Sequence, residues 1–209
     1  MASPGDSVDL ALVLAVDCSS SVVPAEFRIQ MEGIAAALRH PALYGAIAAG
    51  RERRIALSLM LWSGADSQGI SVPWRILASS ADLAALADEI AGAERTWQVG
   101  GTAIAIAIDY AAALLSRIPF AATRRVIDIS GDGPDNVTGM PGAARDRAVA
   151  QDITINGLPI AKGSRLLPLY YQSQVIGGRD AFIEPAADIA AFEGSILRKL
   201  LREIGHPVA

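Results

Sequence analysis

The sequence predicts an α/β fold with a mostly parallel central sheet covered by helices on both faces. Two observations predict it. Apolar runs of strand length alternate along the chain with segments of helical periodicity. The first run, residues 8–16, is almost continuously apolar and rich in branched side chains, as expected of a buried parallel strand. With 209 residues, we expect a single domain over residues 1–209, with a core from about 8 to 204.

Each later element follows from a local signal. Pro24 suits the first turn of a helix, which His40-Pro41 ends. Pro73 places a third strand at the sheet edge, because proline offers no N–H to the ladder. The strands predicted after the first cover residues 54–62, 72–77, 125–130, 153–160 and 181–184. The predicted helices cover residues 24–39, 82–90, 102–115, 141–150 and 187–204.

Composition limits the function classes. The net charge of −4 argues against a nucleic-acid partner, since phosphate binding needs clustered Lys and Arg. No apolar run approaches the roughly 20 residues of a membrane span, so we expect none. Cys18 is the single cysteine, which excludes an internal disulfide. The first residues lack the basic and apolar regions of a signal peptide, so we expect none in this chain.

Three polar elements carry the chemistry. Asp17, Ser19 and Ser21 alternate directly after the first strand, Thr102 follows two glycines at the start of a helix, and Asp132 follows a later strand. Functional groups in parallel sheets gather at the carboxyl ends of strands, so these residues can converge. All five offer oxygen ligands, which match one hard divalent cation, Mg²⁺ first and Mn²⁺ or Ca²⁺ next.

The charge count predicts a role for that cation. Two carboxylates leave a divalent ion formally neutral, and three hydroxyls add ligands without charge. Mg²⁺ prefers six ligands and usually keeps water, so an exchangeable position is expected. An Asp or Glu of an unidentified partner protein can fill that position, which is adhesion without bond cleavage.

These motifs resemble the metal-ion-dependent adhesion site of von Willebrand factor A domains. The resemblance implies a Rossmann-like sheet and the five metal ligands Asp17, Ser19, Ser21, Thr102 and Asp132. Cys18 departs from the motif, and its side chain is expected to point away from the metal. The segments 61–64, 72–74, 124–133, 153–160 and 170–178 are similar to an uncharacterised bacterial branch of the superfamily. Export signals in that branch imply a periplasmic or secreted protein, although a cytoplasmic location stays open.

Other interpretations remain beside this one. Gly101, Asp135 and Asn136 are candidates for the rim of the site or for contacts behind the ligands, although turn formation is the simpler account for Asp135 and Asn136. The chain could instead be a metal-dependent phosphoester hydrolase, which would need Asp128 or Asp135 as a base. Asp128 is more simply a buried acid satisfied by an arginine or by backbone. A structural domain whose site stays empty is the third possibility. The leading hypothesis is a non-catalytic binding module.

Overall fold

The computed structural model describes residues 7–97 and 100–205. Within these residues five strands form one sheet in the order β3-β2-β1-β4-β5. The strands are β1 (Ser7–Asp17), β2 (Ile55–Trp62), β3 (Gln68–Leu77), β4 (Ala121–Gly131) and β5 (Ile153–Pro159). The pairs of β1 with β2, of β1 with β4 and of β4 with β5 are parallel, and β3 pairs antiparallel with β2. The predicted α/β class with a mostly parallel sheet is confirmed.

Helices connect β1 to β2, β3 to β4 and β4 to β5, and further helices follow β5. They are α1 (Pro24–Arg39), α2 (Pro41–Ala48), α3 (Ser80–Ala91), α4 (Ile104–Ser116), α5 (Pro141–Val149), α6 (Leu166–Tyr170) and α7 (Phe192–Ile204). A π-helical segment, Tyr171–Val175, continues α6. Within the described ranges, no helix combines the length and apolar character needed to cross a membrane.

The two faces of the sheet carry separate cores. Successive side chains of a strand point to opposite faces, so β1 serves both. Leu12 and Leu14 pack with α1, α2, α3 and α7, whereas Val13 and Ala15 pack with α4 and α5. Because both faces are covered, β1 is buried almost throughout, which explains its continuous apolar run.

The edge strand β3 is where the sequence signal of proline applies. Pro73 lies in this strand, as predicted, and the β2–β3 register shifts between Leu57 and Leu59. The Ser58 hydroxyl donates to the Val72 carbonyl at 2.8 Å beside this irregularity. A side chain therefore satisfies a backbone acceptor where the ladder is irregular.

Several of the predicted elements and boundaries need correction. Residues 181–184 form no strand; this segment contributes one isolated bridge, from Ile183 to Gly157 of β5, and Pro185 lacks the N–H that a longer ladder needs. The closing helix begins at Phe192, after a turn in which Asp188 accepts from the Ala191 N–H at 3.0 Å. Pro41 ends α1 as predicted but also begins α2, which the sequence analysis missed.

Candidate metal centre

The site forms at the carboxyl edge of the two central strands. Val16 of β1 is in register with Ser130 of β4, so the loops that follow the two strands begin side by side. The chain leaves β1 toward β2 on one side and leaves β4 toward β5 on the other. This divergence opens a crevice at the edge, the usual place for a site in such sheets.

Four of the five predicted ligands meet in this crevice. The Asp17 carboxylate accepts from the Ser19 N–H at 2.7 Å. The Ser19 and Ser21 hydroxyl oxygens are 3.2 Å apart, and Ser21 Oγ donates to Asp132 Oδ1 at 2.5 Å. The residues 111 positions apart in sequence are therefore hydrogen-bonded neighbours. A continuous row of side-chain oxygens runs from the β1 loop to the β4 loop.

Thr102 is held beside this row by Asn136. The Thr102 N–H donates to Asn136 Oδ1 at 2.8 Å, and the Asn136 N–H donates to the Thr102 carbonyl at 3.0 Å. A Cβ built on Gly133 would lie 3.8 Å from Thr102 Oγ1, so the hydroxyl faces the loop that contains Asp132. Thr102 precedes α4, which begins at Ile104 and not at Thr102 as predicted.

Two glycines permit this close approach. A Cβ on Gly101 would lie 2.6 Å from Asn136 Oδ1, the atom that holds Thr102. A Cβ on Gly131 would lie 2.8 Å from the Tyr171 hydroxyl and 3.0 Å from Asp17 Oδ2. A Cβ at either position would be too close to these atoms, so the loops pack this tightly only because Gly101 and Gly131 have no side chain. Gly101 therefore acts through Asn136 and provides no ligand atom itself.

Asp135 organises the loop after β4. Its Oδ2 accepts from the Ala105 N–H at 2.9 Å, and its Oδ1 accepts from the Thr138 N–H at 2.7 Å. Partial burial raises the pKa of Asp135, but hydrogen bonds from the backbone of Ala105, Gly139 and Thr138 outweigh it and lower the pKa overall. Both oxygens are occupied by loop and helix N–H groups, as the turn interpretation predicted.

Asp17 forms the buried floor of the site. It is fully buried, and its Oδ2 has no hydrogen-bond partner. Burial raises its pKa to about 7, against the opposing effect of the Ser19 hydrogen bonds. Trp62 and Tyr171 are fully buried, and both flank Gly131 next to this carboxylate. No ion pair to Asp17 occurs in the described part of the chain. A cation bound here would compensate a carboxylate for which the described residues provide no ion pair.

Two basic residues at the site were missed by the sequence analysis. Arg95 donates to the Cys18 carbonyl at 3.0 Å and to the Ser19 carbonyl at 2.8 Å, which clamps the first motif. Lys162 donates to Asp132 Oδ2 at 2.8 Å and to Glu26 Oε2 at 2.7 Å. Lys162 follows β5 by three positions, so the rule that located Asp17 and Asp132 at strand ends could have found it.

Asp128 lies apart from this edge. It is buried within β4, and Lys199 of α7 pairs with its Oδ1 at 2.8 Å. The expectation that a buried Asp128 is satisfied by an arginine or by backbone is therefore wrong, because the partner is a lysine. Burial raises the pKa of Asp128 to about 7. Asp128 pairs with Lys199 inside the sheet, and both oxygens of Asp135 accept from backbone N–H groups, so neither carboxylate belongs to the row of hydroxyls.

Cys18 does not enter the row of oxygens. Its thiol packs in the core on the α1 face and donates to the Trp62 carbonyl at 3.3 Å. Burial raises the pKa of the thiol to about 12. The side chain is therefore a small buried group, and the departure from the motif leaves the neighbouring Ser19 in place.

The donor set fits a hard cation. Within residues 7–97 and 100–205, no three His, Cys, Asp or Glu side chains group as a metal site. A metal at this edge would therefore depend on hydroxyl oxygens together with two carboxylates, a set that suits Mg²⁺ and Mn²⁺. The unpartnered Asp17 Oδ2 gives such an ion a buried anionic anchor.

Solved structures share this fold. Proximal thread matrix protein 1 from the mussel byssus has a TM-score of 0.69 at 12% identity, covering 95% of this chain and 49% of that one. A von Willebrand factor type A protein from Catenulispora acidiphila has a TM-score of 0.64 at 16% identity, covering 97% and 44%. The open form of the pilus adhesin SpaC from Lactobacillus rhamnosus GG has a TM-score of 0.65 at 12% identity, covering 94% and 30%.

One further structure concerns the metal. It is the mussel protein with a zinc-occupied metal-ion-dependent adhesion motif, with a TM-score of 0.62 at 12% identity over 93% of this chain and 45% of that one. The chain thus spans half or less of the length of these structures. None of the curated proteins compared with the sequence is a significant match.

A protein family covers almost the whole sequence. Residues 7–208 match the family described as "Protein of unknown function (DUF1194)". The five-stranded sheet and the structural neighbours both give the fold of von Willebrand factor A domains. The chain belongs to the DUF1194 family and has a von Willebrand factor A-like fold.

Proposed function

We propose that this chain is a binding module that holds one divalent cation, through which it captures a carboxylate of a partner protein. The ligands are Asp17, Ser19, Ser21, Thr102 and Asp132, on one domain whose core spans about residues 8–204. The ion is Mg²⁺, which these oxygen ligands suit best. The observation that carries the proposal is the buried, unpaired Asp17 Oδ2 beside the hydrogen-bonded row of hydroxyls.

Support for a metal comes from the charge of the crevice. The carboxylates of Asp17 and Asp132 lie at the two ends of one chain of hydrogen bonds that passes through Ser19 and Ser21. The hydroxyls add ligands but no charge. The two carboxylates therefore balance the charge of a divalent ion without exceeding it, and the ion keeps affinity for another anion. The zinc in the related mussel protein supports a cation at the equivalent motif, and the preference for magnesium here rests on ligand chemistry.

Support for a protein partner comes from the surface around the crevice. Large apolar side chains are exposed on segments that follow β1, β4 and β5 at the same edge. They are Val23, Val137, Met140, Leu166 and Leu169. Exposed apolar side chains gathered at one edge favour a protein-binding surface. A phosphoester substrate would instead call for a base beside the ion, whereas Asp128 lies in the buried pair with Lys199 and Asp135 accepts from backbone N–H groups.

The location we propose is periplasmic or extracellular. Its supports are the resemblance to exported relatives and the fold shared with a pilus adhesin and a byssus matrix protein. Fractionation of the source cells, with the chain detected by antibody, tests the location directly.

The experiment for the whole proposal is capture on the immobilised chain. Extracted surface and secreted proteins of the source organism are applied with Mg²⁺ or with excess chelator. We expect a retained protein that elutes with chelator and is absent from Asp17→Ala, whereas the matched exposed-carboxylate variant Asp66→Ala retains it. Equal retention in excess chelator would contradict the proposed metal bridge.

A further inference from the structure

The ammonium of Lys162 lies at the mouth of the candidate metal centre. Its Nζ donates to Asp132 Oδ2 at 2.8 Å, to Glu26 Oε2 at 2.7 Å and to the Ser21 carbonyl at 3.2 Å. The acceptors belong to the β4 loop, to α1 and to the β1 loop. Three donors of the ammonium thus meet three acceptors. Lys162 is therefore held as a part of the site, although its side chain is 33% exposed.

The backbone at this position would suit glycine better. Lys162 has φ +45°, in the left-handed region that a Cβ disfavours, and Gly163 follows with φ +84°. The Ser164 N–H closes the turn by donating to the Ala161 carbonyl at 2.7 Å. A lysine at such a position needs a compensating interaction, and the three contacts of its ammonium provide one.

The lysine and a metal ion would use the same carboxylate. Asp132 gives one oxygen to Ser21 and the other to Lys162, and its side chain is 1% exposed. In metal-free protein, Lys162 supplies the positive charge next to this buried carboxylate. A divalent cation that engages Ser21 and Asp132 would meet a like charge beside its own ligand, which weakens its binding. Glu26 gives Lys162 a second partner, so the ammonium keeps an ion pair when a cation takes Asp132.

We propose that Lys162 is a tethered competitor of the divalent cation. It neutralises Asp132 in the metal-free protein and sets the metal affinity of the centre below the value its ligands alone would give. This inference rests on the proposed metal-binding function and adds a means of setting its affinity. The consequence is a centre that fills only at higher free Mg²⁺ and keeps its loops together when the ion is absent.

The test is calorimetric titration of Mg²⁺ and Mn²⁺ into the full chain and Lys162→Met. Methionine matches the unbranched lysine side chain as far as Cε and lacks the charged ammonium. We expect tighter metal binding in this variant, on the order of tenfold, because one positive charge beside a divalent ion is removed. Arg28→Met removes a charge from a site that is 78% exposed on α1, and its metal affinity should equal that of the wild-type chain.

A second readout needs no metal. In excess chelator, Lys162→Met should melt several degrees below the wild-type chain, because Asp132 loses its counter-charge, and Mg²⁺ should recover more of its melting temperature than that of wild type. Unchanged or weaker Mg²⁺ binding in Lys162→Met, with normal binding by wild type, overturns the role of Lys162 and leaves the proposed function standing. Absence of binding in both proteins overturns both.

A third variant should change the Mg²⁺ affinity in the opposite direction. Glu26→Gln removes the alternative partner of Lys162, so the ammonium is left to Asp132 alone, and Mg²⁺ binding should weaken. The same substitution in the Lys162→Met background should have a smaller effect, because only its distant charge remains. Equal effects of Glu26→Gln in the two backgrounds would show that Glu26 does not act through Lys162, which overturns the shared-lysine arrangement.

Discussion

Two clusters in this molecule have the same charged groups and opposite characters. At the edge of the sheet, Lys162 contacts the carboxylates of Asp132 and Glu26. Inside, on the α7 face, Lys199 contacts those of Asp128 and Glu203 at 2.8 and 2.6 Å. Each cluster is one lysine on two acids. The inner lysine is fully buried, whereas the outer one reaches solvent.

The difference lies in what surrounds the carboxylates. The inner cluster also has oxygens without hydrogen-bond partners, Asp128 Oδ2 and Glu203 Oε2, so an unpartnered oxygen alone does not indicate a metal site. At the edge, Ser19 and Ser21 place neutral hydroxyl oxygens beside the carboxylates, and Asp17 has no lysine or arginine partner in the described residues. Hydroxyls, an acid without an ion pair and solvent access together distinguish the proposed metal centre from a structural ion pair.

The largest effect is expected from breaking the inner cluster. Lys199→Met would leave Asp128 and Glu203 buried without a counter-charge and cost about 3–5 kcal/mol of unfolding free energy. Urea unfolding measures this. The adjacent Arg198→Met, whose side chain is 60% exposed and pairs with Glu184, should cost under about 1 kcal/mol. Equal losses in the two variants would contradict the buried character of the inner cluster.

Replacing Asp17, the buried carboxylate at the edge of the sheet, should weaken metal binding without lowering the stability of the fold. Asp17→Asn takes away the unpaired anionic anchor, so Mg²⁺ affinity should fall by roughly 100-fold. In chelator the variant should be at least as stable as wild type, because a buried uncompensated charge is gone. Asp66→Asn, at an exposed carboxylate, serves as the control in the same titration and melting series. Unchanged Mg²⁺ affinity in Asp17→Asn would remove Asp17 from the centre.

A smaller effect is expected from disturbing the support of a ligand. Gly101→Ala places a Cβ 2.6 Å from Asn136 Oδ1 and displaces the side chain that holds Thr102. Mg²⁺ affinity should fall roughly tenfold, the size found when groups behind metal ligands are removed. Gly45→Ala, in α2 with no atom within 4 Å of the new Cβ, should leave metal binding unchanged and stabilise the helix by about 0.5–1 kcal/mol. The two titrations are compared directly.

The sequence predicted the central strands better than the segments that flank them. The continuous apolar run of β1 and the prolines at positions 24 and 73 are local signals, and the structure follows them. The error at residues 181–184 has a physical reason: a bridge to β5 depends on long-range pairing, which local propensity does not report. The helix α2 was missed because a proline was read as the end of one helix and not as the start of another.

The site was predictable where a short motif sits at a strand end. Asp17, Ser19, Ser21 and Asp132 come together in the crevice because parallel strands finish at one edge. Arg95 was missed because its contacts are to backbone carbonyls of a distant segment. Lys162 was missed because the strand-end rule was applied only to oxygen-bearing side chains, although Lys162 follows β5. Asp128 was assigned the wrong type of partner, since nothing in its own strand indicates that Lys199 of the last helix reaches it.

The most direct measurement is a crystal structure grown with excess Mn²⁺, with the ion located by its anomalous scattering. We predict one peak at the carboxyl edge of β1 and β4, within about 2.0–2.4 Å of Ser19, Ser21 and Thr102 hydroxyl oxygens and with Asp17 and Asp132 bound directly or through water. A strong peak elsewhere on the chain, or ordered loops at this edge with no ion at high manganese, would contradict the account.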